Sequence, residues 1–187
     1  MPGVFHPGLF FSTKYLLEFG LKNISIPEQK SMLELGAGSG LMSVVFSKNG
    51  MNVSASDINP ESIRNVDENA KSNNVKINIY LSNLFDEIPI QSFDVILINP
   101  PYYRKAPMNK SEMAWYCGEG FEYFKKLFKQ LGNYMKPKTH VFMVLSEDCE
   151  IDAIKNIAID YGFRFKLSDN KTIKGESNMI FNINKLN

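Results

Sequence analysis

The 187-residue sequence predicts an α/β fold: a mostly parallel, seven-stranded sheet with helices on both faces and an antiparallel C-terminal hairpin at one edge. Three observations predict it. From residue 31 onward, short apolar runs alternate with segments of helical periodicity. The first run, Ser31–Leu35, leads straight into Gly36-Ala37-Gly38-Ser39-Gly40, a flexible turn able to join a strand to a helix. The last two strand patterns, 163–167 and 177–183, have no helix between them, as an antiparallel pair allows.

The elements follow in order. Residues 1–11 are rich in Pro, Gly and Phe and read as an irregular arm. Ser12 and Thr13 are helix-start residues, Tyr15, Leu16 and Phe19 recur behind them at helical spacing, and Pro27 ends the segment. After Ser31–Leu35 and its glycine turn comes a helix, Leu41–Lys48. Residues 52–56 form a strand that ends in Asp57. The helix Pro60–Ser72 has Asn59 as its N-cap and Pro60 in its first turn. Residues 76–81 alternate as a strand, and Phe93–Ile98 is the next. The polar and aromatic stretch 103–117 is long enough to be a substrate loop. A helix over 119–135 is closed by Pro137, a strand covers 140–145, and a helix over 151–161 ends at Gly162. The whole reads as one domain, with residues 1–30 an arm and helix over the ligand site and 31–187 the main body.

Bulk properties narrow the function. The chain is 44% hydrophobic and 22% charged, with a net charge of +1, so it carries no strong overall field toward nucleic acid or membranes. No apolar run approaches a membrane span, and the N-terminal Met-Pro-Gly-Val-Phe-His-Pro lacks a secretory layout. Cys117 and Cys149 form no metal-type cluster, so reduced thiols, no metal and a cytoplasmic location are expected.

In a parallel sheet of this kind ligands bind beyond the carboxyl ends of the strands. The glycine turn, Asp57, Asn83 and Asn99 all follow strands. Asp57, 21 residues after Gly36, can accept both hydroxyls of a ribose. The Gly-x-Gly-x-Gly spacing lacks the helix approach that a pyrophosphate requires, and no P-loop Lys-Ser/Thr follows. A nucleoside without a pyrophosphate fits better than NAD or ATP. Plainer readings stand beside these: the glycines make a tight turn, and aspartate caps many helices. The segment Asn99-Pro100-Pro101-Tyr102 ends an apolar strand. Proline cannot continue the ladder, and each residue before a proline is held extended. The Asn99 amide and the Pro100 carbonyl therefore sit in a stiff frame beside the Tyr102 ring, which suits a planar nitrogen carrying two hydrogens.

These segments together resemble S-adenosylmethionine-dependent methyltransferases of the HemK-like branch, with its release-factor glutamine methyltransferases. The resemblance rests on residues 33–40, Asp57-Ile58-Asn59-Pro60, Ser82-Asn83-Leu84-Phe85 and Asn99-Pro100-Pro101-Tyr102, in that order and spacing. Ala114-Trp115-Tyr116-Cys117-Gly118-Glu119-Gly120 and Gly175-Glu176-Ser177 are similar to two further segments of that branch, and residues 8–18 resemble the start of the small methyltransferase domain. The resemblance implies a Rossmann-like methyltransferase fold and S-adenosylmethionine as cofactor. It places Thr13, Glu34, Gly36, Ala37, Gly38, Gly40, Asp57, Ile58, Asn83, Leu84 and Asn99 around that cofactor, Asp57 on the ribose and Ile58 on the adenine. Two positions depart from the pattern: Asn83 stands where the family has an aspartate, and Phe10 stands near an acidic position.

The chemistry expected at Asn99, Pro100, Pro101 and Tyr102 is an in-line displacement at the methyl carbon. Hydrogen bonds from the acceptor to the Asn99 oxygen and the Pro100 carbonyl orient its lone pair and favour the developing positive charge. Tyr102 stacks on the acceptor's flat face, and no general base is required. By resemblance the acceptor is a protein glutamine. The alternatives are adenine N6 or guanine N2 in nucleic acid, or a non-catalytic partner-binding domain. Relatives of this length, without an N-terminal docking domain, often work with a small activator protein. Lys125, Lys126, Lys129, Lys136 and Lys138 read as a solvated helix face, with an RNA-facing patch the minority reading. His6 and His140 are isolated, His140 and Cys117 read as structural, and Trp115 and Tyr116 either line the acceptor cleft or pack in the core.

Overall fold

The computed structural model describes residues 7–24, 30–109 and 112–186. Seven strands form one sheet: β1 Ser31–Leu35, β2 Asn52–Asp57, β3 Ile77–Leu81, β4 Phe93–Ile98, β5 Met135–Ser146, β6 Phe163–Ile173 and β7 Glu176–Lys185. Their order is β3-β2-β1-β4-β5-β7-β6. The first five run parallel, and β7 is antiparallel to both β5 and β6. The helices are α1 Pro7–Asn23, α2 Leu41–Lys48, α3 Pro60–Ser72, α4 Glu122–Leu131 and α5 Ile151–Asp160. This is the expected mostly parallel α/β sheet with helices on both faces.

Strand periodicity distributes the core. Alternate side chains point to opposite faces, and the inner strands are apolar on both. Val95 and Leu97 pack beneath α1 and α2 with Leu16, Phe19, Met42 and Phe46. Ile96 and Ile98 pack on the other face beneath α4 and α5 with Phe124, Phe128, Leu131 and Ile154. The sheet reverses its winding between β1 and β4, and this leaves a crevice at their carboxyl ends.

Several expected boundaries move. Residues 7–11 belong to α1 and are not an irregular arm. Proline is tolerated there because the first helical N–H groups have no partner within the helix. Residues 1–6 and Pro27 lie outside the described residues. The expected 119–135 helix is shorter at both ends. Phe121, with φ 58°, marks its start, and a 3-10 turn, Gly132–Tyr134, follows it. Pro137 does not close the helix; it lies inside β5. Phe93 pairs with Met135 but Val95 pairs with His140, so residues 136–139 bulge out of register. A bulge requires no ladder donor from proline. Thr139 ties it down, donating to the Phe93 carbonyl at 2.6 Å and accepting from the Lys136 N–H at 2.9 Å.

Candidate active site

The glycine turn is held from behind. The N–H groups of Gly36 and Ala37 both donate to the Ser56 carbonyl, at 2.9 and 3.0 Å. Asp57 then reaches across: one carboxylate oxygen accepts from the Gly38 N–H at 2.9 Å and the other from the Asn59 N–H at 2.8 Å. Gly38 has φ 55°, and a Cβ built there meets nothing within 4 Å. Its open side is space, not protein. Gly40 differs: its Cβ would come within 3.0 Å of Val66, so it serves the approach of α2 to α3.

One β1 residue is a buried acid. Glu34 is 1% exposed, and one of its oxygens accepts from the Ser43 N–H at 2.8 Å and the Ser43 hydroxyl at 2.5 Å. Burial pushes its carboxyl up to about 7, against the opposing pull of Ser43. Burial also raises Asp57, opposed by the N–H groups of Asn59 and Gly38. Burial thus holds both carboxyls of the crevice above their ordinary range.

Asn83 and Leu84 follow β3. Ser82 donates to the Leu84 carbonyl at 2.9 Å, and Leu84 holds φ 57°. Beyond β4, the Asn99 amide nitrogen donates to the Thr13 hydroxyl at 2.9 Å and to the Ser12 hydroxyl at 3.2 Å. The Tyr102 ring, expected to stack on the acceptor, is partly buried. The ring packs against the apolar cluster beneath α4, and its hydroxyl donates to the Asn99 oxygen at 3.1 Å.

These residues surround one cavity of about 170 Å³. Glu34, Gly36, Ala37 and Gly38 line it from β1 and its turn, Asp57 and Ile58 from the end of β2, and Asn83 and Leu84 from the end of β3. Asn99 and Pro101 line the β4 side, and Thr13 reaches it from α1. Gly40, Pro100 and Tyr102 are not among the lining residues. Met113, Ala114 and Tyr123 are, and the sequence reading missed them. The first two fall in the expected substrate loop, in a 3-10 turn, Glu112–Ala114. Tyr123 lies one residue before the buried Phe124 of α4, and nothing in its spacing separates it from a core aromatic. Trp115 and Tyr116 are outside the lining; Tyr116 packs edge-on to Tyr103 at 6.5 Å.

Other sequence candidates resolve plainly. His140 is exposed and stacks on Phe142 at 5.8 Å. Cys117 and Cys149 are buried, and burial pushes their thiols up to about 11 and about 12, which leaves no thiolate near neutral pH. Within the lysine group, Lys126 pairs with Asp86 at 2.5 Å and Lys136 with Asp94 at 2.7 Å, so part of its positive field is cancelled. No group of three or more His, Cys, Asp or Glu among the described residues could hold a metal ion. No described helix is long and apolar enough to cross a membrane.

The donor set fits a sulfonium nucleoside. A glycine turn open at Gly38 admits a ligand against the backbone, paired carboxylate oxygens suit a vicinal diol, the Asn83 amide offers an acceptor for an exocyclic amine, and Glu34 offers a carboxylate to a cationic group.

Comparison with known proteins agrees. The model of the family described as methyltransferase small domain matches residues 1–157. A protein of Methanocaldococcus jannaschii named as a protein N5-glutamine methyltransferase is 34% identical over 170 residues, covering 87% of this chain and 85% of its own. A release factor glutamine methyltransferase of Fusobacterium nucleatum is 26% identical over 190 residues; the match covers 88% of this chain but 54% of that protein, so the chain spans about half of this bacterial relative. Among solved structures, the E. cuniculi Mtq2–Trm112 complex, described as responsible for methylation of the eRF1 translation termination factor, superposes with a TM-score of 0.72 at 18% identity, over 97% of this chain and 98% of that one. A Bacteroides fragilis methyltransferase in complex with S-adenosyl-L-homocysteine gives 0.65 at 20% identity, over 91% and 77%. The chain belongs to the methyltransferase small domain family and is an S-adenosylmethionine-dependent methyltransferase.

Proposed function

We propose that this enzyme methylates the side-chain amide nitrogen of a glutamine in a protein, with a peptide release factor as the substrate. The observation that carries the reading is the Asn99 amide. It stands on the cavity wall at the end of β4, followed by two prolines that stiffen the backbone behind it. The names of the archaeal and bacterial relatives supply the glutamine and the release factor.

In this reading Asp57 holds the ribose hydroxyls, Ile58 packs on the adenine, Asn83 accepts from the adenine amine and Glu34 faces the amino-acid end of the cofactor. Gly36, Ala37 and Gly38 let that end lie along the backbone. S-adenosylmethionine, when bound, supplies an electrophilic methyl group on a sulfonium. The Asn99 side-chain oxygen and the Pro100 carbonyl accept the two amide hydrogens of the substrate. These contacts turn the nitrogen lone pair toward the methyl carbon and favour the positive charge that grows on nitrogen. The nitrogen proton is released to water after transfer, while Glu34 and Asp57, the carboxyls on the cavity wall, serve the cofactor. Met113, Ala114 and Tyr123 wall the cavity on the side of the substrate loop and exclude water there. A small partner protein belongs to the proposal, on the precedent of the Mtq2–Trm112 complex.

The test supplies methyl-tritiated S-adenosylmethionine with purified release factor and, separately, with cell extract treated or untreated with nuclease. Label in the release factor, recovered as N5-methylglutamine after proteolysis, supports the reading. Label lost on nuclease treatment would place the acceptor in nucleic acid and refute it, as would turnover that survives Asn99→Ala.

A further inference from the structure

The Asn99 amide must present its oxygen to the acceptor, yet the two ends of a carboxamide are almost the same size. Something has to sort them. Asn99 donates from its nitrogen to the Ser12 hydroxyl at 3.2 Å, and the Tyr102 hydroxyl donates to the Asn99 oxygen at 3.1 Å. The Ser12 and Tyr102 hydroxyls also bond to each other, and because the Tyr102 hydrogen is committed to Asn99, Ser12 is the donor of that bond. The three bonds run in one direction around a closed ring. The second hydrogen of the Asn99 nitrogen goes to Thr13 at 2.9 Å. The opposite pairing, Ser12 hydroxyl to Asn99 oxygen, is longer at 3.5 Å. Ser12 is 1% exposed, so water does not compete at its hydroxyl.

We propose that Ser12 is a positioning residue for methyl transfer: it closes a one-way hydrogen-bond ring with Tyr102 and Asn99 that, together with Thr13, holds the Asn99 amide with its oxygen toward the acceptor. The proposal rests on the acceptor reading above. Its physical content is cooperativity. No member of the ring can reverse unless the other two reverse, so the orientation of Asn99 belongs to the ring as a whole. Tyr102 accordingly acts through Asn99. The helix that carries Ser12 lies 86–87 residues upstream of Asn99 in sequence, so the ring also couples the seating of α1 to the acceptor frame.

The test compares Ser12→Ala, Tyr102→Phe, the double variant, Thr13→Val and Thr13→Ser, with Asn99→Ala as reference, using release factor and labelled cofactor. Either single ring variant is expected to lower kcat about tenfold, as loss of one orienting hydrogen bond does, with the KM for S-adenosylmethionine unchanged. The double variant should be no slower than the slower single, because a ring opened once is already open. Thr13→Val should fall similarly and Thr13→Ser should retain activity. Independent of turnover, the Asn99 side-chain amide signals in ¹⁵N-asparagine-labelled protein, assigned by their loss in Asn99→Ala, should shift in both single variants. Multiplicative losses in the double variant, or unchanged kcat and amide signals in both singles while Asn99→Ala is inactive, would overturn the ring and leave the acceptor reading standing. Turnover by Asn99→Ala would instead remove the acceptor reading itself. Should Ser12→Ala fail to fold, Tyr102→Phe and Thr13→Val decide.

Discussion

Replacing Glu34 by glutamine should alter stability in a way that depends on pH, and the size follows from its burial. The folded-state carboxyl titrates at about 7 against an ordinary 4.5. A raised acid favours the folded state where it is protonated, so its contribution is fully present below the unfolded value. It is lost as pH climbs from about 4.5 through 7, because the unfolded chain gains an ionised carboxylate before the folded one does. At roughly 1.4 kcal/mol per pH unit, the interval corresponds to about 3 kcal/mol. Glu34→Gln keeps an oxygen for the two Ser43 donors but cannot ionise. Urea denaturation at pH 5 and pH 8.5 measures the difference. The wild type should lose about 2–3 kcal/mol relative to the variant between the two pH values. A gap that does not move with pH, or a wild type that gains on the variant as pH rises, would show that Glu34 is not held protonated in the fold. Cofactor binding gives an independent reading of the same group. If the bound cation requires the ionised carboxylate, calorimetric affinity should rise toward a plateau above pH 7 in the wild type and stay flat in Glu34→Gln.

Asp57→Ala should weaken S-adenosylmethionine by at least tenfold in calorimetry and also lower the melting temperature, since the same carboxylate anchors the N–H groups of Gly38 and Asn59. Gly38→Ala adds a methyl in open space at φ 55°, so it should cost about 1 kcal/mol of stability while cutting cofactor affinity more steeply; equal effects on both would place Gly38 away from the ligand. Gly40→Ala should reverse that pattern, because its methyl meets Val66 and its φ is 72°. Thermal unfolding should fall by about 2 kcal/mol or more, and Val66→Ala in the same chain should restore only the steric part.

Much of the fold was readable because local signals agreed. The strands Ser31–Leu35 and Phe93–Ile98 and the helices Leu41–Lys48 and Pro60–Ser72 lie where their periodicity and caps put them. Asn59 caps α3 as expected, accepting from the Glu61 N–H at 3.0 Å. The failures share a cause: each depended on a tertiary partner. Pro137 looked like a helix stop, but the Thr139–Phe93 bond makes it part of a bulge. The hairpin reaches Ile173 and Glu176 through a polar stretch that resembles a loop in sequence, because β6 is an edge strand with little apolar burial beyond Leu167. At the site, the residues after each strand were legible from the rule that ligands gather at carboxyl ends. Tyr123 was not, because a helix presents an aromatic to a cavity and to a core with the same spacing. The Tyr102 hydroxyl bond to Asn99 was not legible, and neither was the convergence of Ser12 on the same amide, because α1 is an element that no local pattern ties to Asn99.

The seating of α1 bears on the order in which the molecule assembles. Phe19 packs edge-on to Phe142 of β5 at 5.0 Å, and Glu18 meets Lys171 of the hairpin at 3.6 Å. During synthesis α1 leaves the ribosome well before its farthest docking partners, Phe142 and Lys171, which follow it by more than 120 residues. Contacts so distant along the chain form late, after the loop between them has closed. The glycine turn and Asp57 can be complete while Asn99 still lacks the hydroxyls of Ser12 and Thr13. The crevice is therefore closed last by α1, which brings Thr13 to the cavity wall and Ser12 and Thr13 to Asn99.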